Sequence, residues 1–283
     1  MNNGGGVKDH VGRSEQAVAT AQPEPLLHLA ALLDADCPLH AGAPVPPGWH
    51  WVYFLSTTPQ RQLGADGHPV QGAFLPHLPG RRRMWAGSRL VFDGQLRIGE
   101  QIRRRSQILA IDAKRGRSGA FMLVRVEHRI ASAGGASILE TQDIVFRQPA
   151  KPASGVSEAG EALPLAEFRR LVEPDPTLLF RFSAVTFNAH RIHYDQRYAT
   201  AVEGYPGLVV QGPLQAILML DLLRREHPRR PITAVSFRAE RPAFASAQLA
   251  VCGRASAAGF DLWVESADRL TSRAMVETVR QVS

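Results

Sequence analysis

The sequence predicts an α+β chain of two similar units, each an antiparallel sheet wrapped about a helix, with the helix of the first unit degenerate. Three observations carry this. Residues 213–226 begin with Pro213 and are apolar on nearly every face from Leu214 to Leu223. A helix without a polar face must be enclosed by other elements. Four β-like runs follow it, at 232–240, 247–257, 259–266 and 272–282. The first half ends on four β-like runs of its own, at 84–92, 98–112, 120–130 and 138–146, rich in Val, Ile, Leu and Phe and divided by turn signals such as Asp93-Gly94 and Gly134-Gly135.

The elements then fall in order. Residues 1–24 are polar and rich in Gly, Ala and Gln, which predicts a disordered tail. Residues 25–36 read as a short amphipathic helix that opens the first unit, 25–148. A stretch rich in Pro and Gly runs to Gly48, and Trp49, Trp51 and Trp85 read as packing residues, with a place along a substrate tunnel as the alternative. Nothing after the tryptophans matches the long helix of the second half, so the central helix of the first unit is expected to be shortened or lost. Residues 149–164 are small, polar and acidic and read as a linker to the second unit, 165–283. That unit opens on a strand-like run, Leu178–Ser183, with a helical stretch after Asp195. In the long helix Arg224, Arg225 and His227 fall near the last turn, and Pro228 ends it. The segments Ser88–Ile102 and Ser236–Leu249 share one pattern, a strand, a kink at Gly or Pro, a small apolar anchor and a second strand, consistent with a diverged duplication.

Composition narrows the function. The net charge is +7, and all but three of the 33 basic residues are arginine. They are scattered rather than set in a stripe interleaved with aromatics, which argues against a single-strand nucleic-acid binder. Some arginines are free to hold an anionic ligand, whose geometry Arg suits. Cys37 and Cys252 are the only cysteines, and nothing in the sequence requires them to pair. The apolar run Leu208–Leu223 is broken by Gln211-Gly212-Pro213 and is too short to span a bilayer. No signal-peptide core is visible near the N-terminus, and the expectation is a cytoplasmic protein that binds neither nucleic acid nor membrane.

The informative segment is Thr186-Phe-Asn188-Ala-His190-Arg191-Ile-His193-Tyr-Asp195, followed 18 residues beyond His193 by Gln211-Gly212-Pro213. It resembles the signature of the MaoC-like, (R)-specific enoyl-CoA hydratases and hydroxyacyl-thioester dehydratases, Thr-Gly-Asp-x-Asn-Pro-x-His-x-Asp with a Gly at the head of the central helix. It is most similar to the branch with a degenerate first hotdog and a catalytic second one, which includes mitochondrial-type hydroxyacyl-thioester dehydratases and mesaconyl-C4-CoA hydratases. Leu63–Pro69, Arg82–Ser88, Gly116–Gly119 and Glu140–Arg147 carry the likeness through the first half, so that roughly residues 45–280 are covered. The resemblance implies a double hotdog fold and a hydro-lyase acting on acyl-CoA or acyl-carrier-protein thioesters in fatty acid metabolism. It implies no cofactor, the coenzyme A thioester being substrate.

The same resemblance assigns roles. His193 is the proton carrier, because an imidazole titrates near neutral pH. Asn188 stands where the signature has Asp; it holds the attacking water but takes no proton. Gly212 offers its amide to the oxyanion at the positive end of the long helix. Arg191, Tyr205, Gly207, Leu208, Gln211 and Pro213 are the substrate-binding candidates, Arg191 as a cation for a substrate carboxylate. Asp195 caps the next helix. His190 and His193 are three apart, but no carboxylate or thiol with ligand spacing lies near them, so no metal is expected. Two alternatives stay open. A hotdog thioesterase would need a carboxylate near the helix head, and Glu203 is poorly placed for that. A non-catalytic acyl-thioester binder is the other. The chain is expected to be either a monomer acting as a pseudo-dimer or a homodimer.

Overall fold

The computed structural model describes residues 6–70, 74–116, 119–148 and 163–279. In the first half these form β1 (Ser14–Thr20), α1 (Pro23–Leu33), a 3₁₀ turn (Trp49–Val52), β2 (Arg82–Asp93), β3 (Gln101–Gly116), β4 (Gly119–Ser132) and β5 (Ser137–Arg147). In the second half they form β6 (Phe168–Val172), α2 (Pro176–Val185), α3 (Gly212–Glu226), β7 (Ile232–Ala239), β8 (Leu249–Ala255), β9 (Gly259–Ser266) and β10 (Arg269–Thr278).

All ten strands join one antiparallel sheet in the order β1-β3-β4-β5-β2-β7-β10-β9-β8-β6. The order reads the same from its centre outward. β2 meets β7, pairing Gly87 with Arg238 through Val91 with Ala234. Beyond them β5 answers β10, β4 answers β9, β3 answers β8 and β1 answers β6. The duplication suggested by the local sequence pattern is therefore present in the topology. Its two copies differ where the helix lies: a four-residue 3₁₀ turn at Trp49–Val52 stands where the second copy has the 15 residues of α3. The Pro and Gly of residues 38–48 are the physical reason, since they cannot continue a helix into that turn.

Every side chain of α3 from Leu214 to Leu223 is buried. Its apolar residues, among them Ile217 and Met219, join one core with Leu26 and Leu29 of α1, Leu90 of β2, Ile102 of β3 and Phe182 of α2. The two units thus share a single main core. The polar exception is Asp221, which is sequestered from solvent and bonded by three guanidinium groups, Arg170 at 2.8 Å, Arg224 at 2.6 Å and Arg225 at 2.7 Å. Arg170 and Arg225 also donate to the carbonyl of Leu33. The carboxylate in the second unit's helix is in this way tied to the C-terminal end of α1 in the first.

Several expectations are corrected. Ser14–Thr20, read as part of a disordered tail, forms β1 and pairs with β3 from Ser14 with Gln107 to Thr20 with Gln101. Its few apolar residues hide it, because an edge strand held by main-chain hydrogen bonds needs little side-chain burial. Leu178–Ser183 is not a strand but the middle of α2. Asp175 caps that helix, accepting from the Leu178 amide at 2.7 Å, Pro176 sits in its first turn, and Leu179, Phe182 and Ser183 are buried at helical spacing. β6 lies in a segment that had no assigned element. The long helix begins at Gly212, so Pro213 is its second residue rather than its first. Most of the expected linker lies outside the described residues. Cys37 and Cys252 are both free. Among the described residues no helix is long and apolar enough to cross a membrane.

Candidate active site

The candidate site is built where the end of α2, the loop after it and the head of α3 meet. α2 closes with the Thr186 hydroxyl donating to the Phe182 carbonyl at 2.6 Å. Phe187 then turns into the left-handed region at φ 49°, which reverses the chain. The Asn188 amide donates back to the Ser183 carbonyl at 2.8 Å, and the Asn188 side-chain oxygen accepts from the His190 amide at 3.1 Å. This is an Asx turn, the reason Asn serves here. Asn188 also lines a cavity between the two units.

Arg191–His193 make one 3₁₀ turn, which brings the His193 ring into the interior, 8% exposed. Its Nδ1 lies 2.7 Å from the Val209 carbonyl oxygen. A carbonyl can only accept, so Nδ1 carries a proton, and in the neutral ring Nε2 keeps the lone pair. Burial pushes the imidazole down to about 4, against the Val209 bond, which favours the protonated ring; the His68 imidazole adds to the downward shift. Val209 is three residues ahead of Gly212, and its amide donates to the Ile192 carbonyl at 2.9 Å, so the histidine loop is laced to the strand-like segment that leads into α3. Gln211 completes the clamp, donating to the Leu179 carbonyl at 2.9 Å and the Ser183 hydroxyl at 3.0 Å. Gly212 opens α3, and a first-turn amide has no acceptor within its own helix. A β-carbon built on Gly212 would sit 2.9 Å from Cε3 of Trp85, so glycine is what lets that ring close over the helix head.

The first unit supplies more than Trp85. Its loop at residues 63–70 docks on the histidine loop: the Arg191 amide donates to the Asp66 carbonyl at 3.0 Å, and the Arg191 guanidinium to the Ala65 carbonyl at 2.9 Å. Asp66 holds His68 through the backbone at 2.9 Å and through Nδ1 at 3.0 Å. The His68 ring packs on His190 with centroids 4.2 Å apart, and His190 meets His193 at 5.3 Å. Burial, together with the neighbouring imidazoles, holds His190 well below the usual imidazole range. The ligating atoms of Asp66, His68 and His190 lie within 4.8 Å of one another, the one such group among the described residues that could hold a metal. Gly67 lies at the tip of this loop at φ +89°, and a β-carbon there would run into the Ala189 carbonyl. Gly67→Ala should therefore push the two loops apart and lower turnover about 100-fold, the scale of an ångström's misplacement of reacting groups. Steady-state rates within threefold of the parent would show that the docking is idle.

A cavity of about 390 Å³ opens between the units. Asn188, Thr186 and Pro213 line it from the second unit, and Trp51, Arg83 and Trp85 from the first. His193 is not among its lining residues. A second space of about 280 Å³ shares Arg83, Trp85, His128 and Gln142 with it. In the wall of the larger cavity lies Glu140, buried, accepting from Trp51, Ser88 and Gln142 and 3.6 Å from His50.

The remaining candidates separate clearly. Arg191 is bound to Asp195 at 2.7 Å and lies over the Tyr198 ring at 4.2 Å, so it is already engaged. Asp195 accepts from the Tyr198 amide at 2.9 Å, the cap expected of it. Leu208 is a core residue. Tyr205 packs on Phe244 and under Arg82, and Gly207 faces Gln196; none of the three lines the cavity. Glu203 is ion-paired with Arg82 and accepts from Tyr198, which leaves it no role at the helix head. Asp66, His68 and Arg83 were not singled out in the sequence; the signal they offered was their place in Leu63–Pro69 and Arg82–Ser88, two of the segments that carry the family likeness.

Comparison with known proteins agrees with this architecture. Residues 48–245 match the family model for hydroxyacyl-thioester dehydratase type 2. A mesaconyl-C(4)-CoA hydratase of Chloroflexus aurantiacus is 44% identical over 93% of this chain and 94% of its own. A mitochondrial hydroxyacyl-thioester dehydratase type 2 of Schizosaccharomyces pombe is 26% identical over 80% of this chain and 81% of its own. Among solved structures, a MaoC-like dehydratase superposes with a TM-score of 0.71 at 14% identity, covering 96% of this chain and 98% of that one. A Mycobacterium tuberculosis protein described as a double hotdog fold superposes with a TM-score of 0.61 at 14% identity, covering 99% of both chains. The mirrored ten-strand sheet is thus a double hotdog, and the chain belongs to the hydroxyacyl-thioester dehydratase type 2 family, whose members are hydro-lyases.

Proposed function

We propose that the chain catalyses the reversible syn addition of water to a 2-enoyl thioester, giving the (R)-3-hydroxyacyl thioester, with His193 as proton carrier and the Gly212 amide as oxyanion donor. The observation that carries this reading is the bond from His193 Nδ1 to the carbonyl of Val209, three residues ahead of the head of α3, which orients the ring and leaves Nε2 as the nitrogen to exchange a proton. In the hydration direction Nε2 takes a proton from water as its oxygen bonds to Cβ. The electron pair of the double bond moves onto the thioester oxygen, where the Gly212 amide and the positive end of α3 stabilise it. The enolate then collapses as Cα takes a proton, returned by His193. Asn188, with its oxygen held in the turn, offers an N–H to position the water. No metal or redox cofactor enters these steps. The substrate class we favour is a coenzyme A thioester, mesaconyl-C4-CoA or a relative, since the Chloroflexus protein at 44% identity carries that name.

The test is the absorbance of the enoyl-thioester band with crotonyl-CoA and mesaconyl-CoA. Saturable loss of the band without release of free thiol is the expected result. No turnover on any thioester from C4 to C12 would overturn the reading.

A pH dependence follows from the depressed imidazole. The base form of His193 dominates above about 4. Its contribution to kcat/KM for hydration should therefore be flat between about pH 5 and 8 and fall only as pH drops through about 4. Stability carries the same sign. Between an unfolded value near 6.5 and about 4, the unfolded chain takes up a proton that the folded one refuses. Stability thus declines as pH falls through this window, by at most about 3 kcal/mol from this group. Chemical denaturation at pH 7 and pH 5 measures it, and His193→Gln should remove this share of the slope. An unchanged slope in the variant would show that the ring titrates normally in the fold.

A further inference from the structure

Arg83 is the charged group of the cavity that nothing yet described employs. It lies on β2 two residues before Trp85, so both side chains leave the same face of the strand. Trp85 covers Gly212. Two strand residues span about 7 Å, which places Arg83 one short acyl chain away from the helix head. Its side chain lines both cavities, the larger of which also reaches Asn188 and Pro213.

Its surroundings set it apart from the neighbouring arginines. Arg82 is paired with Glu203, Arg104 with Glu15 at 3.5 Å and Arg191 with Asp195 at 2.7 Å. Arg83 is partly exposed, at the cavity wall, and forms no ion pair with the described residues. Asp66 is the carboxylate that acts on it, and Asp66 is already bonded twice by His68. Glu140, in the wall of the same cavity, has its oxygens occupied by Trp51, Ser88 and Gln142. A guanidinium that faces a cavity with no carboxylate of its own is placed to take an anionic ligand. Its planar fork matches a carboxylate bidentately. Trp51 and Trp85 offer apolar wall to the carbons between.

We propose that Arg83 is the receptor for a carboxylate at the far end of the substrate's acyl chain, so that the degenerate first unit selects what the second unit hydrates. The preferred substrate is then a short 2-enoyl thioester ending in a carboxylate rather than in a methyl group. Arg191, the cation first considered for this task, is replaced by Arg83. The inference rests on the hydratase reading of the site.

The experiment compares fumaryl-CoA with crotonyl-CoA, which differ in a terminal carboxylate against a methyl group. The parent enzyme should prefer fumaryl-CoA. Arg83→Met should lower kcat/KM for fumaryl-CoA by about 10²- to 10³-fold, the scale of truncating one partner of a hydrogen-bonded charge pair formed on binding. For crotonyl-CoA the loss should be at least about tenfold smaller, so the selectivity ratio shifts. Arg83→Lys, with a point charge in place of the planar fork, should lose about tenfold. Equal loss on both thioesters, or no preference in the parent, would overturn the proposal while leaving the hydratase reading intact. Turnover of neither by the parent would count against the hydratase reading instead. Binding to the parent decides the matter even then, and also if the variants do not fold. Succinyl-CoA should bind at least about tenfold more tightly than butyryl-CoA. Equal affinities would overturn the proposal, because the two ligands share every phosphate of coenzyme A and differ only in the acyl carboxylate.

Discussion

His193→Ala is expected to lower kcat for thioester hydration by about 10²- to 10⁴-fold, the usual contribution of a positioned acid–base group. The size follows from the absence of a substitute. Asn188 cannot take a proton, and its side-chain oxygen is held by the His190 amide at 3.1 Å. Glu203 is held by Arg82 and Tyr198. Loss of the bond to Val209 alone should cost about 1 kcal/mol of stability, so the thermal transition distinguishes a chemical defect from an unfolded chain. His193→Gln separates the roles further, since an amide can still donate to Val209 but cannot relay a proton. Both variants should fall together in kcat. Substantial activity in either one would remove His193 from the proton transfers.

The largest expected effect on stability lies at the other end of α3. Asp221→Ala leaves Arg170, Arg224 and Arg225 around an empty place in the interior. Breaking a buried ion pair from one side destabilises by about 3–5 kcal/mol. For a chain of this size that lowers Tm by on the order of 10 °C. Because the same arginines hold the end of α1, the loss should appear as one cooperative transition of both units rather than as local fraying. A Tm within about 2 °C of the parent would mean that the three guanidinium groups find water or other acceptors without loss.

How much of this was legible in the sequence depended on whether its cause was local. The helix at 212–226 announced itself because an apolar surface on all sides admits only enclosure, and six of the eight expected strands lie within three residues of their boundaries at each end. The exceptions have local physical reasons. A six-residue apolar run such as Leu178–Ser183 fits a strand or a helix equally, and the deciding signal was the Asp175-Pro176 cap just before it. β1 and β6 are edge strands whose hydrogen bonds are to β3 and β8, and neither carries the apolar run that marks a central strand. The site divides in the same way. His193, Asn188 and Gly212 lie in one motif with fixed spacing; the loop that carries the first two is bonded to Val209, just ahead of the head of α3. Arg191 of the same motif ties the two loops together, and Leu208, which precedes the helix head, is buried in the core. Asp66, His68, Arg83 and Trp85 come from the first unit, roughly 100 residues away in sequence, and only the shared core and sheet bring them to the histidine loop.

Catalysis as proposed requires the thioester to lie between the His193 ring and the Gly212 amide. Its most direct test is the structure of His193→Gln with crotonyl-CoA bound. The thioester oxygen should lie within about 3 Å of the Gly212 amide nitrogen, with Cβ facing the side chain at position 193 across the space of one water. An acyl group bound elsewhere, or one whose carbonyl turns away from the head of α3, would contradict it.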